Sequence, residues 1–107
     1  MSTEATNQEV DDATIRANSL KEEGNFYLSS HLYQSAIDKY TQAIEILPTS
    51  IYLSNRAQAY IKLEQYGSAI EDANEAIKLD PRYIKAYYRR ASANYALGSQ
   101  LQHTHHI

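Results

Sequence analysis

Apolar residues recur three and four positions apart through most of this chain, with polar residues between them. That spacing places the apolar set on one face of an α-helix. The stripe forms from about Ala13, where Ile15, Leu20, Tyr27 and Leu28 follow a cap at Asp12 or Thr14, and it predicts a first helix ending near Ser29-Ser30. A second helix is predicted from Leu32 to Ile46 on Tyr33, Ala36, Ile37, Tyr40, Ala43 and Ile44. Leu47-Pro48 stops it, because proline disfavours helical backbone at the residue before it. A third helix is expected from Ile51 to Leu63 behind Ser50 as N-cap, and a fourth from Tyr66 to Leu79 on Ala69, Ile70, Ala73, Ala76 and Ile77. Asp80 reads as the cap of a fifth helix with Pro81 in its first turn, where the missing N–H is not needed. That helix is predicted to reach Leu97 and to stop at Gly98. Residues 1–12 are polar and acidic without sustained periodicity and are expected to be disordered, as is the tail 98–107.

The pattern repeats. Gly24, Ala57 and Ala91 are small residues spaced 33 and then 34 apart; Tyr27 and Tyr60, Ala36 and Ala69, Ala43 and Ala76, and Pro48 and Pro81 pair at 33. A period near 34 with this pattern resembles the tetratricopeptide repeat. The first unit carries Leu20, Gly24, Tyr27, Ala36, Tyr40, Ala43 and Pro48; the second has Ala57 for the glycine and Ala73 for the aromatic; the third stops after one helix. The resemblance implies an all-α superhelix of antiparallel helix pairs over residues 13–97, with two full repeats and helix A of a third. Without its second helix, the third unit is expected to expose apolar surface around Tyr83, Tyr87, Ala91 and Tyr95, giving marginal stability and self-association.

Composition narrows the class. The 107 residues suffice for one small domain, and 43% apolar content suffices for a core. No cysteine is present, which excludes disulfides and thiolate metal sites or nucleophiles. No apolar run reaches bilayer length and no signal peptide opens the chain, so the expected location is cytoplasmic and also nuclear. The net charge of −3 is uneven: Glu4, Glu9, Asp11 and Asp12 stand without a base in residues 1–12, leaving ten bases against nine acids elsewhere. An acidic tail on a near-neutral body argues against nucleic-acid binding. Tyr87 and Tyr88 could stack a base, but tyrosines at helical spacing are packing residues first.

The candidate chemistry is a binding site. Lys21 and Asn25 are four apart on the first helix, Lys85 and Arg89 are four apart on the fifth, and Asn55 stands 34 residues before Arg89. Stacked on the face that the first helices of the units share, these five offer three cations and two carboxamides around one groove. Cations only donate, whereas carboxamides donate and accept, so the set suits a carboxylate-rich extended peptide, above all a chain terminus.

The five resemble, position by position, the carboxylate clamp of chaperone-binding tetratricopeptide domains, which hold the C-terminal Glu-Glu-Val-Asp tail of heat shock protein 90 or 70. The resemblance implies that Lys21, Asn25, Asn55 and Lys85 hold the two carboxylates of the terminal aspartate. Arg89 with Lys85 would serve the upstream acid and the peptide backbone, and Lys62 would add a contact. The runs Ala43-Ile44-Glu45, Asn55-Arg56, Tyr66-Gly67, Tyr83 to Ala91 and Ala96-Leu97-Gly98 also resemble the N-terminal regulatory domain of the protein phosphatase 5 family of serine/threonine phosphatases. There Glu64 matches an acidic residue credited with covering the phosphatase active site. The metallophosphatase domain of that family has no counterpart here, so the chain is expected not to be an enzyme and to need no cofactor. Two alternatives stand beside chaperone binding: a truncated targeting and autoinhibitory arm of such a phosphatase, and a scaffold for another peptide.

Weaker signals remain. His103, His105 and His106 cluster near the end, but a tail without fixed geometry is a poor metal site, and no metal is expected. His31 reads as a turn residue. Glu9-Val10-Asp11-Asp12 imitates an acidic tail and suggests competition for the groove, although it lacks a free terminus.

Overall fold

The computed structural model describes the backbone of residues 2–105 and the side chains of residues 12–102. The described residues form five helices and no strand: α1 Ser2–Ser29, α2 Tyr33–Ile46, α3 Ser50–Lys62, α4 Tyr66–Leu79 and α5 Ile84–His105. α1 packs on α2 and α3 on α4, while α3 also touches α1 and α5, so the first helices of successive pairs lie side by side. The three interior helices fall within one residue of their expected bounds. Among the described residues, no helix is long and apolar enough to cross a membrane, and no three metal-ligating side chains gather. The acidic run Glu9-Val10-Asp11 and the histidines 103, 105 and 106 lie outside the described side chains.

Both outer helices are longer than expected. α1 begins at Ser2, not near Ala13, so 2–12 is helical; no glycine or proline precedes Gly24, and nothing in that stretch breaks a helix. α5 runs past Leu97 to His105. Gly98 does not end it: no packed neighbour among the described residues lies within 4 Å of where its Cβ would be, and glycine permits a left-handed stop without enforcing one.

Two caps also differ. Thr49, not Ser50, caps α3: its Oγ1 accepts from the Tyr52 amide at 3.1 Å. Ser50 is buried, and its hydroxyl donates to the Ala76 carbonyl at 2.7 Å, pinning the start of α3 to the last turn of α4. Asp80 does not cap α5. Its Oδ1 accepts from the Arg82 amide at 3.0 Å, so Asp80-Pro81-Arg82 close a turn and α5 starts after it, at Ile84.

The turn inside each pair is the same device twice. His31 (φ 63°) and Glu64 (φ 59°), 33 residues apart, are left-handed. Around them Leu32 N–H donates to the Tyr27 carbonyl and Gln65 N–H to the Tyr60 carbonyl, each at 2.9 Å. These bonds satisfy the last carbonyls of α1 and α3.

The core runs through alanines. Ala36, Ala43, Ala57, Ala59, Ala69, Ala73, Ala76, Ala86 and Ala93 are all fully buried, which lets the helices approach closely. The exception in size is Tyr40, also fully buried, and Gly24 makes room for it: a Cβ there would stand 2.5 Å from Tyr40 Cε1. In the second pair Ala57 and Ala73 take these two places, small against small. In α5 the matching Ala91 is exposed, because no helix among the described residues covers it. Its face, Ile84, Tyr88, Ala91 and Tyr95, corresponds to Ser50, Ser54, Ala57 and Ile61 of α3, which are buried or half-buried. The expected exposed surface is therefore present at Tyr87, Ala91 and Tyr95, whereas Tyr83 is half-buried against Leu53, Ala76 and Ala86.

Candidate functional site

α1, α3 and α5 bring the five clamp candidates to neighbouring helices, and two cross-helix contacts fix the arrangement. Asn55 Nδ2 donates to Asn25 Oδ1 at 3.3 Å, joining α3 to α1. The same Asn25 oxygen accepts from the buried Tyr40 hydroxyl at 2.6 Å. Both lone-pair directions of that oxygen are taken, which orients the amide. Its Nδ2 is left with no partner among the described residues, ready to donate to an anion. Tyr40 is a hydrogen-bond donor throughout the ordinary pH range, because burial, helped by the negative charge of Glu22, pushes its phenol from 10.0 up to about 12.

Arg89 makes the second link: its Nη2 donates to Gln58 Oε1 at 3.0 Å, joining α5 to α3. The guanidinium lies 5.6 Å from the Tyr88 ring centre, and its Nε is buried without a partner. Burial lowers its pKa, with Tyr88 and Tyr83 opposing the shift. No carboxylate pairs with it among the described residues.

The remaining candidates are less constrained. Lys21, one helical turn before Asn25, has its Nζ 3.3 Å from the exposed Glu22 carboxylate, and its own side chain is only 20% exposed. Lys85, one turn before Arg89, is exposed, as is Lys62, and neither makes an ion pair among the described residues. Lys62 lies seven residues beyond Asn55, roughly 10 Å along α3. Glu64 is exposed on the left-handed turn after α3. His31 is a turn residue as expected, sharing a 2.7 Å hydrogen bond with the Tyr33 hydroxyl.

Three features of the site involve residues outside the clamp pattern. Tyr40 supports Asn25 from across the helix pair, and Gln58 supports Arg89. Arg56, beside Asn55, turns to the opposite side and grips Asp72 through two 2.7 Å bonds while also donating to Thr41 at 3.0 Å. The hydrogen bond to Asp72 raises the Arg56 pKa despite its burial. Arg90, at the same repeat position, donates to Asn74 Oδ1 at 3.1 Å. Arg56 and Arg90, which follow Asn55 and Arg89, thus tie α3 and α5 to α4. The 34-residue spacing of Arg56 and Arg90 was the available signal for this pair; Gln58, matched by Ser92, carries none.

Comparison with known proteins places this architecture. The tetratricopeptide repeat family model matches residues 50–83. Human serine/threonine-protein phosphatase 5 is 51% identical over 90 residues, covering 83% of this chain but 18% of the phosphatase. The chain thus spans less than a fifth of the length of that relative. Among solved structures, the first tetratricopeptide domain of Spaghetti (RPAP3) bound to the HSP90 peptide SRMEEVD superposes with a TM-score of 0.75 at 41% identity, covering 77% of this chain and 66% of that one. The second domain of human RPAP3 in complex with the HSP70 peptide SGPTIEEVD gives 0.77 at 35% identity, covering 84% of this chain and 76% of that one.

Proposed function

The chain belongs to the tetratricopeptide repeat family, and from that premise we propose that it captures the acidic C-terminal tail of a heat shock protein 90- or 70-type chaperone. Residues 13–97 form the binding unit. Lys21, Asn25, Asn55 and Lys85 receive the two carboxylates of the terminal aspartate, Arg89 with Lys85 receives the upstream acid and backbone, and Lys62 adds a peripheral contact. The observation that carries this reading is the oriented pair Asn25–Asn55: Tyr40 and Asn55 occupy the Asn25 oxygen, so Asn25 presents N–H groups where α1, which also carries Lys21, meets α3, whose other neighbour α5 carries Lys85. Two related domains that bind such tails, as their structures record, support it.

The energetics are consistent with a reversible adaptor. Each charge-assisted hydrogen bond contributes about 1.5–3 kcal/mol. Offset by the ordering of a flexible peptide, several give roughly −8 kcal/mol, a micromolar Kd. Lys21 must leave Glu22, a surface pair worth at most about 1 kcal/mol. Calorimetric titration with a Met-Glu-Glu-Val-Asp peptide tests the reading. Lys85→Ala and Arg89→Ala should each weaken binding about tenfold or more without loss of helix content by circular dichroism. Unchanged binding in both variants removes the proposal.

A second reading, a targeting and autoinhibitory arm of a phosphatase, is favoured by the exposure of Glu64 on a fixed turn and by the 51% identity to human phosphatase 5. Adding the chain to a phosphatase 5 catalytic domain should lower its activity, and Glu64→Ala should relieve the effect. Equal activity with and without the chain rules it out.

A further inference from the structure

The groove contains a polar side chain to which the clamp pattern gives no role. Gln58 lies on α3 between Asn55 and Lys62, on the face turned to α5, and its carbonyl oxygen is the one hydrogen-bond acceptor that Arg89 meets among the described residues. The Arg89 guanidinium is half-buried and has an unpartnered Nε, with a tyrosine ring on one side and no carboxylate in ion-pair contact among the described residues. A cation removed from water and given no counter-ion is in deficit. A glutamate at position 58 would fill that deficit from within the chain. A glutamine holds the guanidinium in place and leaves its charge unanswered.

We propose that Gln58 is a positioning residue that keeps Arg89 extended along the groove and uncompensated, so that the charge is reserved for an upstream carboxylate of the bound peptide. This rests on the clamp reading and deepens it. Lys21, Asn25, Asn55 and Lys85 grip the chain terminus, and the Gln58–Arg89 pair sets how strongly binding depends on acids before it. The neutral amide is what matters. A charged partner quenches the selectivity, and an apolar one of equal length releases Arg89 to bulk water.

The experiment compares wild type, Gln58→Glu and Gln58→Met in calorimetric titrations with two peptides: Met-Glu-Glu-Val-Asp, and the same sequence with both glutamates replaced by glutamine. Thermal melts of the three free proteins accompany them. Lys21→Ala serves as the control for the terminus. Wild type should prefer the acidic peptide about tenfold. Gln58→Glu should melt higher than wild type yet bind the acidic peptide more weakly, with its preference for glutamate over glutamine reduced to twofold or less. Gln58→Met should also lose preference, without the gain in melting temperature. A merely structural role for Gln58 would shift melting and affinity in the same direction and leave the peptide preference unchanged. If both variants keep the full tenfold preference, the role of Gln58 is refuted while the clamp stands. If wild type binds neither peptide, or Lys21→Ala binds as wild type does, the clamp reading itself falls, and the Gln58 proposal with it.

Discussion

The hydroxyl of Tyr40 lies 2.6 Å from Asn25 Oδ1, so a side chain buried in the core sets the direction of an amide that also meets Asn55 on the neighbouring helix. Core and site are one hydrogen-bonded unit here. Tyr40→Phe keeps the ring and its packing and removes only the donor. The variant should lose about 1 kcal/mol of stability, and affinity for an acidic peptide should fall severalfold because the Asn25 amide is free to rotate. Urea unfolding and calorimetry measure the two effects; undiminished affinity would separate the core from the site.

The same phenol gives an alkaline signature. Its folded-state pKa is raised from 10.0 to about 12, chiefly by burial. The stability this group contributes is fully present below pH 10 and is lost as pH climbs from 10 towards 12. The slope reaches about 1.4 kcal/mol per pH unit at most. Unfolding free energy measured against pH should show this decline, and Tyr40→Phe should flatten that component.

Gly24→Ala should be destabilising even though alanine favours helix by ~1 kcal/mol. The added Cβ would meet the Tyr40 ring at 2.5 Å, an overpacking penalty of ~1–3 kcal/mol. With Tyr40→Ala in the background the penalty should disappear, since Ala57 and Ala73 already coexist at these two positions in the next pair. A double-mutant cycle in chemical denaturation gives the answer.

Glu64 holds a left-handed backbone at φ 59° without being glycine or asparagine. Glu64→Asn should raise the unfolding free energy by up to ~1 kcal/mol, and Glu64→Val should lower it. Equal melting temperatures for the two variants would show that the turn is not strained.

What the chain reveals about itself depends on the range of the interaction. Helix faces and the interior bounds were legible because a 3.6-residue period and a 33- to 34-residue repeat both act on every unit. The same arithmetic linked Asn55 to Arg89, whereas the shared left-handed turn of His31 and Glu64 emerged only from the backbone. The outer helix ends were not, because residues 2–12 contain nothing that breaks a helix and Gly98 faces open space. Adjacent hydroxyls concealed which of Thr49 and Ser50 caps α3; the choice follows from the Ala76 carbonyl that Ser50 reaches on another helix. Gln58 and Tyr40 were overlooked as site residues because their partners, 31 and 15 positions away, obey neither period.

The central claim is that two cations and two oriented carboxamides receive a free chain terminus. It is tested most directly by titrating the protein with Met-Glu-Glu-Val-Asp ending in a carboxylate and with the same peptide ending in an amide. Binding of the amidated peptide should be weaker by at least about tenfold, 1.4 kcal/mol, and Asn25→Ala should shrink the gap. Equal affinity for the two peptides would contradict the account.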